Sequence, residues 1–163
     1  MNRYAIAGIW ATVMVALDQW TKWLIMETFP LWSWKKVIPG FFNLVHVRNK
    51  GTAWGFLDRD DIDWQVPLFV GITVVALVFI AQLLRKTEES DRFMIAGLGM
   101  IAGGAVGNLI DRVRLGEVVD FLDFYVGTYH WPAFNVADSA LTVGAGAVLV
   151  SLWINRKDAS GTD

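Results

Sequence analysis

Two aspartates, Asp120 and Asp138, stand where apolar segments meet polar ones in a chain that is 55% hydrophobic. Asp120 is embedded in an apolar VVDF segment, and Asp138 lies at the start of a long apolar run. An acidic side chain at the edge of a bilayer is costly to keep, so its presence there indicates a function. A folded helical bundle could bring both carboxylates to one place.

Two facing carboxylates support the hydrolysis of a peptide bond. Their like charges and partial desolvation raise one pKa, so one proton is shared between them at neutral pH. The ionised carboxylate activates a water as general base, while the protonated one polarises the carbonyl and later protonates the leaving amine. The pair Asp120 and Asp138 therefore predicts an aspartyl hydrolase that needs neither a metal nor a covalent intermediate.

Each aspartate also has a structural alternative. Asp138 could cap a helix, and Asn135, three residues earlier, is another candidate cap. Capping requires only one such residue and does not explain the second carboxylate within VVDF. Asp123 competes with Asp120 for that second position, but its place after Leu122 predicts a solvated role.

Other polar side chains cluster near the ends of apolar segments. Asn108, Asp111 and Arg112 share one helix face, where Asp111 is expected to hold the helix end. Arg112 could stabilise an anion or bind a peptide carbonyl through its planar guanidinium, and Asn108 could do so as a neutral donor. Asp18 and Lys22 form an i,i+4 pair, expected to be structural because charges buried in a membrane usually pair. Their charges also argue against a cleaved signal peptide.

The composition argues against several other kinds of site. The chain has no cysteine, which removes disulfides, thiolate metal sites and a cysteine nucleophile. Only His46 and His130 are present and no His-Glu-x-x-His motif occurs, so neither a metal nor another cofactor is expected. No Gly-x-Ser-x-Gly segment supports a serine nucleophile. A net charge of -2 gives no indication of a nucleic-acid partner.

Four apolar segments are long enough to position these residues across a membrane, at residues 4–26, 66–84, 93–110 and 136–154. At about 1.5 Å rise per residue, each covers a hydrocarbon core of about 30 Å. Glycines spaced four apart in the third segment, at Gly99, Gly103 and Gly107, are expected to allow close helix packing. The sequence therefore predicts an all-α membrane protein with four transmembrane helices in one domain, residues 1–163.

The connection between the first two spans, residues 30–63, is predicted to contain a small antiparallel sheet on the outer surface. The stretch 42–48 is rich in strand-forming residues, and turn signals flank it. The acidic run at 58–63 is expected to be a solvated loop or the first turn of a short helix.

Basic residues and tryptophans predict the orientation of the chain. Arg85, Lys86 and Arg92 lie in the short connection between the second and third spans, while Arg3 and Arg156 lie near the two ends. By the positive-inside rule, this connection and both termini are cytoplasmic. Tryptophan prefers the membrane interface, and the residues at or near the opposite, outer face are Trp20, Trp23, Trp32, Trp34, Trp54, Trp64 and Trp131. The two aspartates are therefore predicted to face the outer side.

Several motifs resemble those of the bacterial lipoprotein signal peptidase family, the type II signal peptidases. They are LDQWTK at 17–22, RNKGTAWG at 48–55, GGAVGNLIDR at 103–112, GEVVDF at 116–121 and PAFNVADS at 132–139. These motifs run in the family's order through the whole chain. The resemblance implies a four-span inner-membrane aspartyl endopeptidase that cuts a prolipoprotein just before its diacylglyceryl-modified cysteine.

The resemblance also implies roles for individual residues. Asp120 and Asp138 match the family's catalytic dyad, and Asp18 and Lys22 match a structural pair. The polar positions that line the substrate site are matched by Asn49, Asn108, Arg112 and Asn135. Thr52 stands where a small apolar residue is expected, a departure that leaves the site assignment intact.

The segment 30–63 is further expected to act as a movable lid over the dyad. Trp32, Trp34 and Trp54 would anchor it in the interface, while Asn49 and Gly51 would form a substrate-binding turn at its active-site edge. A lipidated substrate would then arrive sideways from the bilayer, because acyl chains in water cost about 25 cal/mol per Å² of exposed apolar surface.

Two alternative functions stay open at this level. A small proton-coupled transporter or proton-relay protein also uses intramembrane carboxylates, and a non-catalytic membrane module would only bind lipoproteins. Polar groups gathered at one face favour the peptidase, since a transporter needs a path to both faces. The expected partners are diacylglyceryl-modified prolipoproteins and membrane lipid. The chain is expected to be a monomer in the bacterial cytoplasmic membrane.

Overall fold

Four long helices and a small sheet form the part of the chain that the computed structural model describes, which is residues 1–51 and 64–160, with side chains up to residue 156. In chain order the elements are α1 (Arg3–Thr28), β1 (Trp34–Ile38), β2 (Phe42–Asn49), α2 (Gln65–Lys86), α3 (Arg92–Leu115), β3 (Val118–Val126), β4 (Tyr129–His130) and α4 (Val136–Ser160). The roles predicted for Thr52, for Trp54 and for the acidic run 58–63 concern positions outside the described residues.

The helix ends follow from local capping chemistry. Asn2 accepts a hydrogen bond from the backbone N–H of Ala5 (2.8 Å) at the start of α1, as N-cap residues do. The helix α3 runs beyond the predicted end at residue 110 and stops at Gly116, which adopts a left-handed conformation with φ 77°. Arg112 and Arg114 in its last turn favour this extension, because cations stabilise helix C-termini.

Among the described residues, three helices are long and apolar enough to cross a membrane: α2, α3 and the part of α4 over Val136–Arg156. The helix α1 is also long enough, with 26 residues, but it is not among these candidates. Its Asp18, Gln19 and Lys22 are polar residues that lower the hydropathy of its C-terminal half. Three of the four predicted spans therefore meet the composition standard for a transmembrane helix.

The helix α3 packs against each of the other three helices, and its glycines make this approach possible. A Cβ atom built on Gly99 or on Gly103 would lie 2.6 Å from a backbone carbonyl oxygen of α1. On the opposite side, a Cβ on Gly97 would lie 2.7 Å from the carbonyl oxygen of Gly144 in α4. The expectation that these glycines serve close helix packing agrees with this geometry.

The sheet is antiparallel with strand order β1-β2-β3-β4. The sequence prediction of a sheet between the first two helices is incomplete, because β3 and β4 lie in the connection between α3 and α4. Asp120 is consequently on a strand, paired with Val47 of β2, and not at the edge of a span. The β3 segment is rich in valine and aromatic residues, which favour strands.

An irregularity in β3 positions Asp120. The backbone N–H groups of Phe121 and Leu122 both donate to the carbonyl oxygen of Phe134, at 3.0 and 2.8 Å. Both side chains pack in the same apolar cluster, which also contains Ile25 of α1. This cluster fixes the start of β3 against the helices, next to the N-terminus of α4.

Candidate active site

A cavity of about 310 Å³ lies where the C-terminal part of α3, the start of α4 and the sheet meet. Its polar lining consists of Asn49, Gly51, Asn108, Arg112, Asp120 and Asp138. The structure thus brings together both predicted dyad residues and four of the five predicted substrate-binding residues. The fifth, Asn135, is fully buried behind them.

Asp120 is 4% exposed on β3. Its Oδ1 accepts a hydrogen bond from Asn135 Nδ2 at 2.7 Å, and its Oδ2 accepts a longer one from Asn49 Nδ2 at 3.4 Å. Burial and, after it, the nearby negative charge of Asp138 raise the pKa of Asp120 to about 7, against the opposing hydrogen bond from Asn135. A carboxyl group with this pKa carries a proton for much of the time near neutral pH.

Asp138 caps α4 and lines the cavity at the same time. Asn135 Oδ1 accepts from the backbone N–H of Asp138 at 3.0 Å, and Asp138 Oδ2 accepts from the backbone N–H of Asn135 at 3.2 Å. This reciprocal arrangement is a capping box. The other oxygen, Asp138 Oδ1, accepts from Asn108 Nδ2 at 2.8 Å. The sequence presents helix capping and catalysis as alternative roles for Asp138. In the structure, Asp138 takes part in the capping box and also lines the cavity.

Two amides connect the carboxylates. Asn135 Nδ2 donates to Asp120 Oδ1 and also to Asn108 Oδ1, the latter at 3.1 Å. Asn108 Nδ2 in turn donates to Asp138. The continuous chain of hydrogen bonds therefore runs from Asp120 through both amides to Asp138.

Beneath this chain lies a buried ionic cluster centred on Lys22, which is 1% exposed. Its Nζ lies 2.9 Å from Asp18 Oδ2, 2.8 Å from Asp111 Oδ2 and 2.9 Å from Asn108 Oδ1. The predicted i,i+4 pair of Asp18 and Lys22 is present in this geometry. Asp111, expected to hold the helix end together with Arg112, pairs with Lys22 instead. Sequence spacing gave no sign of this contact, because the two residues belong to different helices.

The two carboxylates of this cluster also hold the backbone beside each dyad aspartate. Asp18 Oδ1 accepts from the N–H of Ala137 at 2.9 Å, and Asp111 Oδ2 accepts from the N–H of Val119 at 3.2 Å. Ala137 directly precedes Asp138, and Val119 directly precedes Asp120. Lys22 therefore links two anchors that fix the main chain next to both dyad positions.

Arg112 lies at the mouth of the cavity. Its Nη2 donates to the carbonyl oxygen of Gly51 at 2.8 Å, and its guanidinium carbon lies 4.2 Å from the ring centroid of Phe69 in α2. Gly51 N–H donates to Asn49 Oδ1 at 2.8 Å, closing a turn at the end of β2. Arg112 thus binds a peptide carbonyl, as its chemistry predicted, but the carbonyl belongs to this chain.

The remaining walls of the cavity are apolar except at Thr73 and come mainly from three helices. The residues that form them include Ile72, Thr73 and Ala76 of α2, Ile101 and Ala105 of α3, and Leu141 of α4. No residue in the most apolar window of α2 is buried within the described protein. An apolar surface thus leads from the cavity toward the space that lipid would occupy.

The prediction that Asp123 is solvated is wrong. Asp123 is 7% exposed and accepts from Asn43 Nδ2 at 2.7 Å. Its Oδ1 also lies 2.8 Å from His130 Nδ1. These three residues line a separate cavity of about 440 Å³ on the sheet. Asp123 is therefore a buried structural carboxylate outside the dyad cavity.

Within residues 1–51 and 64–160, no three His, Cys, Asp or Glu side chains come together in a way that could hold a metal ion. The polar lining of the cavity consists instead of two carboxylates, amides, a glycine and Arg112.

Comparison with known proteins places the chain in a family. The family model of Signal peptidase (SPase) II matches residues 10–154. The lipoprotein signal peptidase of Maridesulfovibrio salexigens is 55% identical over 96% of this chain and 100% of its own length. That of Oleidesulfovibrio alaskensis is 48% identical over 94% of this chain and 98% of its own.

A solved structure agrees with the sequence relatives. A bacterial membrane enzyme determined by the in meso method superposes with a TM-score of 0.84 at 34% identity, covering 100% of this chain and 96% of that one. The resemblance inferred from the motifs is thereby confirmed. The chain belongs to the signal peptidase II family.

Proposed function

We propose that this chain is a membrane aspartyl endopeptidase that removes the signal peptide of prolipoproteins, with Asp120 and Asp138 as its catalytic pair. Membership of the signal peptidase II family supports the reaction. The observation that carries the assignment is that both carboxylates line one cavity and are joined by the amides of Asn108 and Asn135. Two carboxyl groups held this way provide one base and one acid.

Hydrolysis by such a pair needs one bound water. The ionised carboxylate takes a proton from the water, whose oxygen attacks the scissile carbonyl carbon. The protonated carboxyl group donates to the carbonyl oxygen as the tetrahedral intermediate forms. When the C–N bond breaks, the proton taken from water passes to the leaving amine.

The walls of the cavity suit a lipid-bound substrate. The apolar helix of a signal peptide would pack against Ile72 and Ala76 of α2 and Leu141 of α4, and would arrive from within the bilayer. The scissile bond, just before the diacylglyceryl-modified cysteine, would lie at the polar end beside the dyad. This route keeps the acyl chains out of water, where exposed apolar surface costs about 25 cal/mol per Å².

The predicted substrate-binding residues divide into two kinds. The amides of Asn108 and Asn135 already bond to the carboxylates, so they orient the pair. Asn49 and Gly51 line the edge of the cavity, where the substrate backbone would contact them. Arg112 holds Gly51 and thereby sets the position of this edge.

The proposed topology has four transmembrane helices in a single domain, with α1 as the fourth. Arg3 Nη1 donates to the carbonyl oxygen of Arg85 at 3.1 Å, so basic residues gather at one end of the bundle. That end is opposite the dyad, since Asn108 and Asp138 lie at the other ends of α3 and α4. By the positive-inside rule, both termini are cytoplasmic and the dyad and sheet face outward. We place the chain as a monomer in the bacterial inner membrane.

A cleavage assay tests this function. The purified protein in lipid nanodiscs is incubated with a prolipoprotein carrying the diacylglyceryl group and with the same prolipoprotein lacking it. Mass spectrometry is expected to detect signal-peptide release from the lipidated form, with cleavage directly before the modified cysteine. Absence of cleavage, or cleavage at other bonds, would contradict the proposal.

A further inference from the structure

We propose that Lys22 is a positioning residue that determines which dyad carboxylate holds the proton. It does so by fixing the amide of Asn108, so that Asp138 is the ionised base and Asp120 carries the proton. This inference rests on the proposed catalytic role of the pair.

The orientation of the Asn108 amide follows from the chemistry of lysine. An ammonium group has three donors and no acceptor, so the oxygen of Asn108 must face Lys22 Nζ, 2.9 Å away. The amide nitrogen must then face Asp138 Oδ1, to which it donates at 2.8 Å. Lys22 thus ensures that Asp138 receives a donor from Asn108.

The Asn135 amide is fixed by an independent contact. Its oxygen accepts from the backbone N–H of Asp138, which can only donate. Its nitrogen therefore faces Asp120 Oδ1 and Asn108 Oδ1. If the Asn108 amide were rotated by 180°, its nitrogen would face two other donors, Lys22 Nζ and Asn135 Nδ2. These donors would then lack an acceptor, which is costly in a buried site.

The two carboxylates receive different support as a result. Asp138 accepts donors on both oxygens, from Asn108 at 2.8 Å and from the backbone of Asn135 at 3.2 Å, and lies in the first turn of α4. The positive end of the helix dipole favours negative charge there. Asp120 has one short hydrogen bond and one of 3.4 Å, and lies on a strand. Its pKa, raised to about 7 by burial and by the charge of Asp138, agrees with this assignment.

The charges near the pair act on both carboxylates, and Arg112 interacts more strongly with Asp138 than with Asp120, in the same direction as the asymmetry of the hydrogen bonds. The charged side chains around the pair include Lys22 and Asp18 from α1, Asp111 and Arg112 from α3, and the Arg48–Glu117 pair between β2 and the start of β3. The α2 wall contributes Ile72, Thr73 and Ala76, none of which is charged. Lys22 contacts both Asp18 and Asp111 at salt-bridge distance, so its positive charge is compensated. The part of its charge that reaches Asp120 directly favours the ionised form of that carboxyl and is outweighed there by burial and by the charge of Asp138. The support that Lys22 gives to ionised Asp138 runs through the hydrogen bond to Asn108.

The assignment completes a balanced cycle. Asp138 removes a proton from water, the water oxygen bonds to the carbonyl carbon, and Asp120 gives its proton to the carbonyl oxygen. When the C–N bond breaks, Asp138 passes its new proton to the leaving amine. Asp120 recovers a proton from the hydroxyl group of the intermediate, which becomes the product carboxyl group. The pair returns to its starting state without another reactant.

The proton assignment is tested without catalysis by infrared titration of single variants. In Asp138→Asn only the Asp120 carboxyl remains, and in Asp120→Asn only that of Asp138 remains. We expect the carboxyl band in Asp138→Asn to titrate at the higher pH. The reverse order overturns the assignment. This readout does not depend on cleavage, so it distinguishes failure of this inference from failure of the proposed function.

The role of Lys22 is tested by the pH profile of kcat/KM for Lys22→Met, Asn108→Leu and the double variant. Loss of a hydrogen bond to a charged group is expected to move the acid limb to higher pH by about one to two units. If Lys22 acts through Asn108, the double variant shows no further shift. Additive shifts, or a uniform loss at every pH with unmoved limbs and a lower Tm, overturn the proposal.

Because Lys22→Met could prevent folding, a second variant that preserves the net charge of the buried cluster is included. Lys22→Met leaves two buried carboxylates without their cation, whereas Lys22→Met combined with Asp111→Asn keeps the formal charge of the cluster unchanged. Asn108→Leu leaves both ion pairs intact. If neither lysine variant folds, an unmoved acid limb in Asn108→Leu overturns the proposal.

Discussion

Amides supply the short side-chain hydrogen bonds to Asp120 and Asp138 within the described residues. This matters because a neutral donor supports a carboxylate without forcing both members of the pair to ionise. A lysine in the place of Asn135 would favour two negative charges and remove the acid. The buried cation Lys22 contacts the pair only through Asn108 and is compensated by Asp18 and Asp111. Arg112, which lines the same cavity, donates to the carbonyl oxygen of Gly51.

The pH dependence of activity is a prediction at this scale. The pKa of Asp120 is raised from 3.8 to about 7 by burial and by the charge of Asp138. Because the reaction requires the protonated form, kcat/KM is expected to fall about tenfold per pH unit above about 7. A profile that rises or stays level from pH 7 to 9 would contradict a proton on Asp120.

Stability must be followed in the same experiment. A folded-state pKa above the unfolded value means that the native state binds the extra proton between pH 3.8 and about 7. Asp120 therefore lowers stability progressively as pH rises through that window. Thermal unfolding of the wild-type protein and of Asp120→Asn at each pH separates this effect from the loss of activity, and the variant should gain stability relative to wild type as pH rises.

The sequence predicted which residues could do chemistry better than it predicted which residues contact each other. Asp120 and Asp138 were predictable because acids beside apolar runs are costly and thus informative. The contact between Lys22 and Asn108 joins residues on two helices, so no local spacing reveals it. Asp123 was misjudged because its burial depends on Asn43 and His130, which reach it through strand pairing.

At the scale of elements, α3 organises the molecule through its glycines. Gly99 and Gly103 allow α1 to approach closely enough for Lys22 to contact Asp111 and Asn108. The periodicity of these glycines was sufficient to predict helix packing. The β3 strand was not predicted, because the irregularity at Phe121 and Leu122 breaks the alternation that identifies a strand.

A glycine substitution tests this packing. In Gly103→Ala the new Cβ would lie 2.6 Å from the carbonyl oxygen of Ala11, so we expect a loss of about 1–3 kcal/mol in stability from overpacking. Gly71→Ala is the matched control, since nothing lies within 4 Å of a Cβ there. Alanine favours helices by up to about 1 kcal/mol over glycine, so this variant should be as stable as wild type or more so.

Thermal unfolding in one detergent provides the comparison. Gly103→Ala is expected to have a lower Tm than wild type, and Gly71→Ala an equal or higher one. If both variants unfold at the same temperature, close approach of α1 and α3 does not limit stability.

At the scale of the whole molecule, polar chemistry is concentrated at one end of an apolar bundle. The dyad, the sheet and the turn at Gly51 lie at that end, while Arg3 and Arg85 meet at the other. Hydropathy alone identified α2, α3 and α4 as spans. The helix α1 does not meet that standard, and its polar residues Asp18 and Lys22 are buried against α3 and α4.

The central claim is that Asp120 and Asp138 together cleave the prolipoprotein, and single substitutions test it most directly. Asp120→Asn and Asp138→Asn remove a titratable group while keeping size, and Asp123→Asn is the matched control, a buried aspartate of β3 outside the cavity. Initial rates on the lipidated prolipoprotein are measured for purified variants with equal folded fractions. The account predicts a loss of about 10²-fold or more in each dyad variant and continued cleavage by Asp123→Asn. Substantial turnover by either dyad variant, or an equal loss in the control, would contradict it.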